Sequence, residues 1–203
     1  MKTWLITLTV ATACACGAAQ AAGDAKAGEA KSAACVACHG PMGNSVVPMW
    51  PKVAGQHPEY TAKQLADFKA GNRKNEQMAP PAMALSAQDR ADLGAYFAAQ
   101  QQSPGTPGAD TAGLGERIFR GGNAATGVPA CSGCHGGHGM GVGLAKFPRV
   151  QGQHAQYTEG TLKAFRDGAR ANDANNMMRG VAARMSDQEI AAVAQYLQGL
   201  NPL

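Results

Sequence analysis

Aromatic side chains are scarce in this sequence: they make up 5% of its 203 residues, while glycine occurs 26 times. A chain of this length holds one large domain or two of about 80–90 residues, and two such units with so few rings would have thin cores. Small domains of that kind need a metal, a disulfide or a bound cofactor to hold together. Charge is also thin. The formal balance is +4 with no block of lysine or arginine, which speaks against a nucleic-acid partner. Long apolar runs are missing. The stretch "TWLITLTVATACACGA" is too short for a comfortable membrane span and no stop-transfer pattern follows it. Nor does any segment show the apolar–polar alternation of a strand, so the expected class is all-α.

The apolar stretch reads instead as a secretory signal over residues 1–21. Lys2 supplies the positive start and Ala19-Gln20-Ala21 the small-x-small cleavage site, so the mature chain is expected to begin at Ala22 and to work in the periplasm. Cys14 and Cys16 lie inside this signal and raise the rival idea of a lipid-anchored cysteine, but neither has the preceding leucine and small residues that such a site wants. Four cysteines then remain: Cys35, Cys38, Cys131 and Cys134.

What is present is a unit written twice. "GQHPEYTAKQLADFKAGNR" from Gly55 aligns without a gap with "GQHAQYTEGTLKAFRDGAR" from Gly152. "LSAQDRADLGAYFAAQ" from Leu85 matches "MSDQEIAAVAQYLQGL" from Met185, and "CVACHG" at 35–40 matches "CSGCHG" at 131–136. The order is the same in both halves, which indicates a tandem duplication. The expected domains are residues 22–102 and 114–203, joined by a polar, proline- and glycine-containing linker at 103–113. Each unit reads as a short helix before the cysteines, a middle helix after Tyr60 or Tyr157 that stops at Gly71 or Gly168, and a last helix. That last helix opens on a capping box, Ser86 with Asp89 or Ser186 with Glu189.

Cys-x-x-Cys-His occurs in both units. Two thiols three positions apart can add to the two vinyl groups of haem, and the adjacent histidine can reach the iron. A thioredoxin-like pair would sit in a strand-containing fold, and zinc would need further sulfur or imidazole ligands at regular spacing. Local disulfides are the remaining rival. A doubled motif in matching places of a repeat favours two covalent haem c groups, which would also fill the thin cores. Cys35, Cys38, Cys131 and Cys134 are then the attachment points, with His39 and His135 as proximal ligands.

The sixth ligand decides what each iron can do. His57 and His154 match between the repeats but sit just ahead of the middle helix, where a polar helix-entry role is ordinary. Met42, Met140 and His138 lie too close to the attachment motif to cross to the opposite face. Only Met78 and Met178 satisfy the repeat, each eight residues before a capping serine, Ser86 or Ser186. The polar stretch "NNMMRG" at 175–180 is therefore expected to be an irregular loop that delivers Met178, with Met177 packing nearby.

With these features the chain resembles the dihaem class I cytochromes c of the cytochrome c4 type. The likeness rests on "AGDAKAGEAKSAACVACHG", "PKVAGQ", "FRGG…PACSGCHG", "FPRVQGQHAQYTEGTLKAFRDG" and "MMRGVAARMSDQEIAAVAQYLQGL". It implies two tandem cytochrome c domains packed about a pseudo-twofold axis, with haem propionates near the interface, and it assigns His39, Met78, His135 and Met178 as axial ligands. It further implies that the carbonyls of Pro51 and Pro148 hold the proximal imidazoles. The implied role is electron transfer without catalysis, from a quinol–cytochrome c oxidoreductase to a terminal oxidase. A rival within reach is the dihaem subunit of a dehydrogenase, such as a flavocytochrome c that oxidises sulfide; another, a dihaem peroxidase, would be considerably larger. Loose membrane association is compatible with all of these. One departure stands out: His39 and Met78 are 39 residues apart, His135 and Met178 43.

Overall fold

A computed structural model describes residues 22–106, 108 and 113–200. The signal reading at 1–21 and part of the linker reading lie outside the described residues. Ten α-helices occur among the described residues, five in each half. The first unit contains α1 (Ala25–Lys31), α2 (Ala33–His39), α3 (Pro58–Lys69), α4 (Ala79–Met83) and α5 (Ala87–Ala98). The second repeats the plan as α6 (Leu114–Gly121), α7 (Ser132–His135), α8 (Ala155–Arg166), α9 (Met177–Ala182) and α10 (Asp187–Gly199). The only β pairing among the described residues is two isolated bridges, Asn123 with Val128 and Val142 with Phe147.

The last helix of each unit is its organising element. α5 and α10 start on the two expected capping boxes. Asp89 N–H donates to Ser86 Oγ at 3.1 Å while Ser86 N–H donates to Asp89 Oδ2 at 2.8 Å, and Ser186 with Glu189 does the same. Such boxes satisfy helix-end donors that would otherwise go unpaired. The first helix of each unit packs on the last at very close range. A Cβ on Gly28 would lie 2.1 Å from the Asp92 carbonyl oxygen, and one on Gly115 would lie 2.2 Å from that of Ala192. Only glycine permits backbones to meet this closely.

The middle helices α3 and α8 pack on α5 and α10, and α4 and α9 pack in turn on α3 and α8. Each middle helix starts two residues before its tyrosine rather than after it, because Pro58 is suited to the first turn and His57 and His154 take the cap position. Both end where expected, with Gly71 and Gly168 at φ 75° just beyond the last turn.

The cores are as thin as the composition implies. Phe68, Leu93 and Phe97 are the only large buried apolar side chains described in the first unit. The second gathers Ile118, Phe119, Val128, Met185, Ile190, Val193 and Leu197.

The units meet through paired polar contacts that repeat across the boundary. His57 Nε2 donates to Met140 O and His154 Nε2 to Ser45 O, both at 2.8 Å. Arg73 Nη2 donates to the Tyr157 hydroxyl and Arg170 Nη2 to that of Tyr60, both at 3.0 Å. Each of these guanidinium groups also lies over a ring of its own unit, Arg73 over Phe68 and Arg170 over Phe165. The start of the connecting segment is strapped onto this boundary: Lys52 Nζ donates to Ser103 O at 2.9 Å, and buried Gln102 donates to Gln151 O at 3.0 Å.

Candidate functional site

Helix α2 places Cys35, Cys38 and His39 at positions i, i+3 and i+4, so the three side chains share one face of a single turn. In the second unit Cys131 caps α7, and Cys134 and His135 close it. All four thiols are unpaired, which removes the local disulfide reading. Burial pushes the Cys131 thiol up to about 11. Among the described residues no cluster of histidine, cysteine or carboxylate side chains suits a metal ion on its own, so the zinc alternative finds no ligand set.

Each histidine is oriented by one backbone carbonyl. His39 Nδ1 lies 2.8 Å from Pro51 O, and His135 Nδ1 lies 2.9 Å from Pro148 O. A carbonyl oxygen can only accept, so Nδ1 carries the proton and Nε2 keeps its lone pair. Burial lowers both imidazole pKa values, and the proline bonds oppose that shift in part. Both rings thus present a free Nε2 in a fixed direction, the arrangement that an outer hydrogen bond gives a metal-ligating imidazole.

Met78 and Met178 are both half-buried and occupy equivalent places. Met78 caps α4 and Met178 is the second residue of α9. The expected irregular loop at 175–180 is shorter than the sequence suggests. Asn175 and Asn176 turn through left-handed backbone at φ 52° and 58°, and regular helix begins at Met177. Asparagine tolerates that conformation better than other side-chain-bearing residues. Met177 itself is 42% exposed.

The two units hold their methionine segments differently. Asn75 Oδ1 accepts from the N–H groups of Gln77 and Met78 at 3.0 and 2.8 Å. In the longer second segment Asp173 takes that part, accepting from Arg179 N–H at 3.0 Å and from Arg179 Nε at 2.8 Å. In neither unit does the histidine helix pack substantially on the methionine helix. α2 lies on α1 and α7 on α6, whereas α4 lies on α3 and α9 on α8. A planar group inserted between a histidine and a methionine requires that separation.

Two further observations bear on whether a haem fits. Trp50 Nε1 and Arg149 Nε are buried donors without partners, and each is adjacent in sequence to one of the histidine-holding prolines. A group bearing carboxylates would satisfy both. Directed imidazoles, vicinal thiols, half-buried thioethers and orphaned donors together match such a group. His57 and His154, the weighed alternatives to methionine, instead spend Nε2 on carbonyls of the opposite unit.

Sequence reasoning did not single out Gln56 and Gln153, whose side chains are buried at the boundary and bonded into the opposite unit. Their signal was the repeated "GQH": a polar residue kept in both copies with no local task.

The family model described as cytochrome c matches this chain twice, over residues 25–101 and 114–201. A cytochrome c4 of Thiocapsa roseopersicina is 61% identical over 186 residues, covering 91% of this chain and 96% of that protein. The crystal structure of reduced recombinant cytochrome c4 from Pseudomonas stutzeri superposes with a TM-score of 0.86 at 47% identity, covering 89% of this chain and all of that one. A thiosulfate dehydrogenase electron acceptor of Thiomonas intermedia is 41% identical, covering 85% of this chain and 82% of that protein.

Proposed function

This chain belongs to the cytochrome c4 family, the dihaem branch of the cytochromes c, and we propose that it works as a periplasmic shuttle carrying electrons from a quinol–cytochrome c oxidoreductase to a terminal oxidase. It carries two covalently bound haem c groups and is an electron carrier rather than an enzyme, in keeping with its family. Cys35 and Cys38 anchor the first group and Cys131 and Cys134 the second. His39 with Met78, and His135 with Met178, are the axial pairs. When bound, the group supplies reversible one-electron exchange at iron.

The residues of the chain do the rest. The proline carbonyls fix each imidazole with Nε2 free, and the segments at Asn75 and Asp173 fix the methionines. The observation that supports the reading is that each unit offers one directed imidazole and one half-buried thioether on separately packed helices. A site filled on both faces has no place for substrate, and methionine ligation favours a relatively high potential. Carriers of this kind dock briefly through small surfaces. Among the described residues no helix is long and apolar enough to cross a membrane.

Absorption spectra of the matured protein test this. Two covalent haems, a ferric methionine-to-iron charge-transfer band of two-haem intensity, and a ferrous spectrum unmoved by carbon monoxide are expected. A high-spin fraction that binds carbon monoxide would reject the filled-site reading.

A second reading is favoured by the likeness to a thiosulfate dehydrogenase electron acceptor: the chain serves as the electron-accepting partner of a dehydrogenase for a reduced sulfur compound, thiosulfate or sulfide. Rapid-mixing reduction by such a dehydrogenase, compared with reduction by a quinol–cytochrome c oxidoreductase, separates the two.

A further inference from the structure

One peptide unit in each domain is bonded from both sides. The amide that joins Pro51 to Lys52 accepts His39 Nδ1–H on its oxygen at 2.8 Å, and its N–H donates to Gln153 Oε1 at 2.9 Å. Its counterpart joins Pro148 to Arg149. That oxygen accepts His135 Nδ1–H at 2.9 Å, and that N–H donates to Gln56 Oε1, also at 2.9 Å. Each glutamine comes from the opposite domain.

The glutamines cannot turn away. Gln153 Nε2 donates back to Lys52 O at 2.8 Å and Gln56 Nε2 to Arg149 O at 3.0 Å. Each Oε1 also accepts the N–H of the following histidine, His154 at 3.0 Å and His57 at 3.1 Å. Two N–H donors on one atom and a carbonyl facing the other fix which end of each amide is oxygen. Gln56, Gln153 and Lys52 are all less than 9% exposed, which limits the access of water to these bonds.

We propose that Gln153 is the positioning residue for His39 and Gln56 the positioning residue for His135, so that each domain sets the iron potential of the other through one shared amide. The physical link is short. A peptide group whose N–H is engaged carries more negative charge on its oxygen and accepts a stronger bond. A stronger bond to Nδ1–H gives the imidazole more anionic character, makes Nε2 a better donor to ferric iron, and lowers the potential. The inference rests on His39 and His135 being the proximal ligands.

The test uses the mature dihaem protein and the variants Gln153→Met and Gln56→Met, which keep length and shape but cannot accept the N–H. Gln153→Met is expected to shift the first domain's ferric–ferrous equilibrium about threefold to tenfold toward ferrous, the upper figure being 59 mV for one electron. The second domain stays within twofold of wild type, and Gln56→Met gives the reverse. In ferrous-state proton NMR, the His39 Nδ1–H resonance moves upfield in Gln153→Met while that of His135 stays. Gln153→Glu retains an acceptor oxygen and leaves the first potential at or below the wild-type value. Tyr157→Phe, which removes a different contact across the boundary, leaves both potentials in place.

Equal movement of both potentials in Gln153→Met, no movement in either, or a Gln153→Glu shift in the direction of Gln153→Met would each overturn the relay. Failure of the ligand assignment shows separately, in the wild-type charge-transfer band.

Discussion

Asp173 and Arg179 close a 2.8 Å ion pair across the segment that presents Met177 and Met178. The Asp173 side chain is 4% exposed, and it also accepts the Arg179 backbone N–H that opens onto α9. Burial works against its ionisation, but the Arg179 contacts outweigh that and hold the carboxyl below its usual range. The pair therefore ties the turn at Asn175 and Asn176 to the helix that follows.

Asp173→Ala removes both acceptors at once, and bonds to charged groups of this kind are worth about 1.5–3 kcal/mol. The expected outcome is a ferric protein that loses half its methionine-to-iron charge-transfer band at a lower temperature than the other half. Wild type is expected to lose both together. Asn75→Ala is expected to weaken the other half instead, since Asn75 holds the Met78 segment.

The glycines at the helix crossings give a sharper contrast. Gly28→Ala drives a methyl to 2.1 Å from Asp92 O and Gly115→Ala drives one to 2.2 Å from Ala192 O, both against backbone that cannot swing aside. Each is expected to lower stability by about 3 kcal/mol. Gly160 lies exposed within α8 with open space where a Cβ would go. Gly160→Ala should raise stability by up to about 1 kcal/mol. Denaturant midpoints on the three variants check the order.

Much of this was legible in the sequence where the determinant is local. The capping boxes at Ser86 and Ser186 and the left-handed glycines at 71 and 168 depend on neighbours a few residues away, and they hold. The α9 helix was not legible, because its six residues are too short to show a period and the asparagines before it read as loop. Pro80 and Pro81 fit the first turn of α4. The partners of Gln56 and Gln153 lie 93 and 101 positions away, a separation that leaves no spacing to read.

Acid stability should belong mainly to the first domain. Asp92 is 2% exposed and accepts from Asp24 N–H at 2.9 Å, Lys31 Nζ at 2.9 Å and Gln88 Nε2 at 2.8 Å. These bonds, the Asp24 N–H first, hold its carboxyl at about 2 against 3.8 when free, and Asp89 is held at about 2 chiefly by Ser86. A carboxyl depressed in the folded state binds fewer protons there than in the unfolded chain. Its contribution is complete above pH 3.8 and is lost as pH falls through that value toward 2. The corresponding residue of the second domain is Ala192. Asp92→Asn is expected to flatten the fall of the protein's thermal midpoint between pH 4 and 2, roughly the interval between the two pKa values. An unchanged slope would remove Asp92 as its source.

The boundary itself rests on a crossed pair of guanidinium–phenol contacts. Arg170 is 8% exposed and donates to Tyr60, and through Nη2 also to Gln64 Oε1 at 3.0 Å. Arg73 donates to Tyr157, which is half-buried; desolvation of its hydroxyl opposes ionisation of that phenol, but Arg73 and Arg170 draw it below its usual range. Arg170→Leu removes one cation and leaves Tyr60 without this donor, at a cost of about 2–4 kcal/mol borne by the interface rather than by either core. The expected result is two calorimetric transitions where one is expected of wild type, with both charge-transfer bands intact below the first. Arg73→Leu should do the same, because Arg73 makes the mirrored bond. If either variant melts in a single transition shifted downward, the domains are still coupled, and the remaining boundary contacts, the glutamine bonds at Lys52 and Arg149 among them, suffice to hold them.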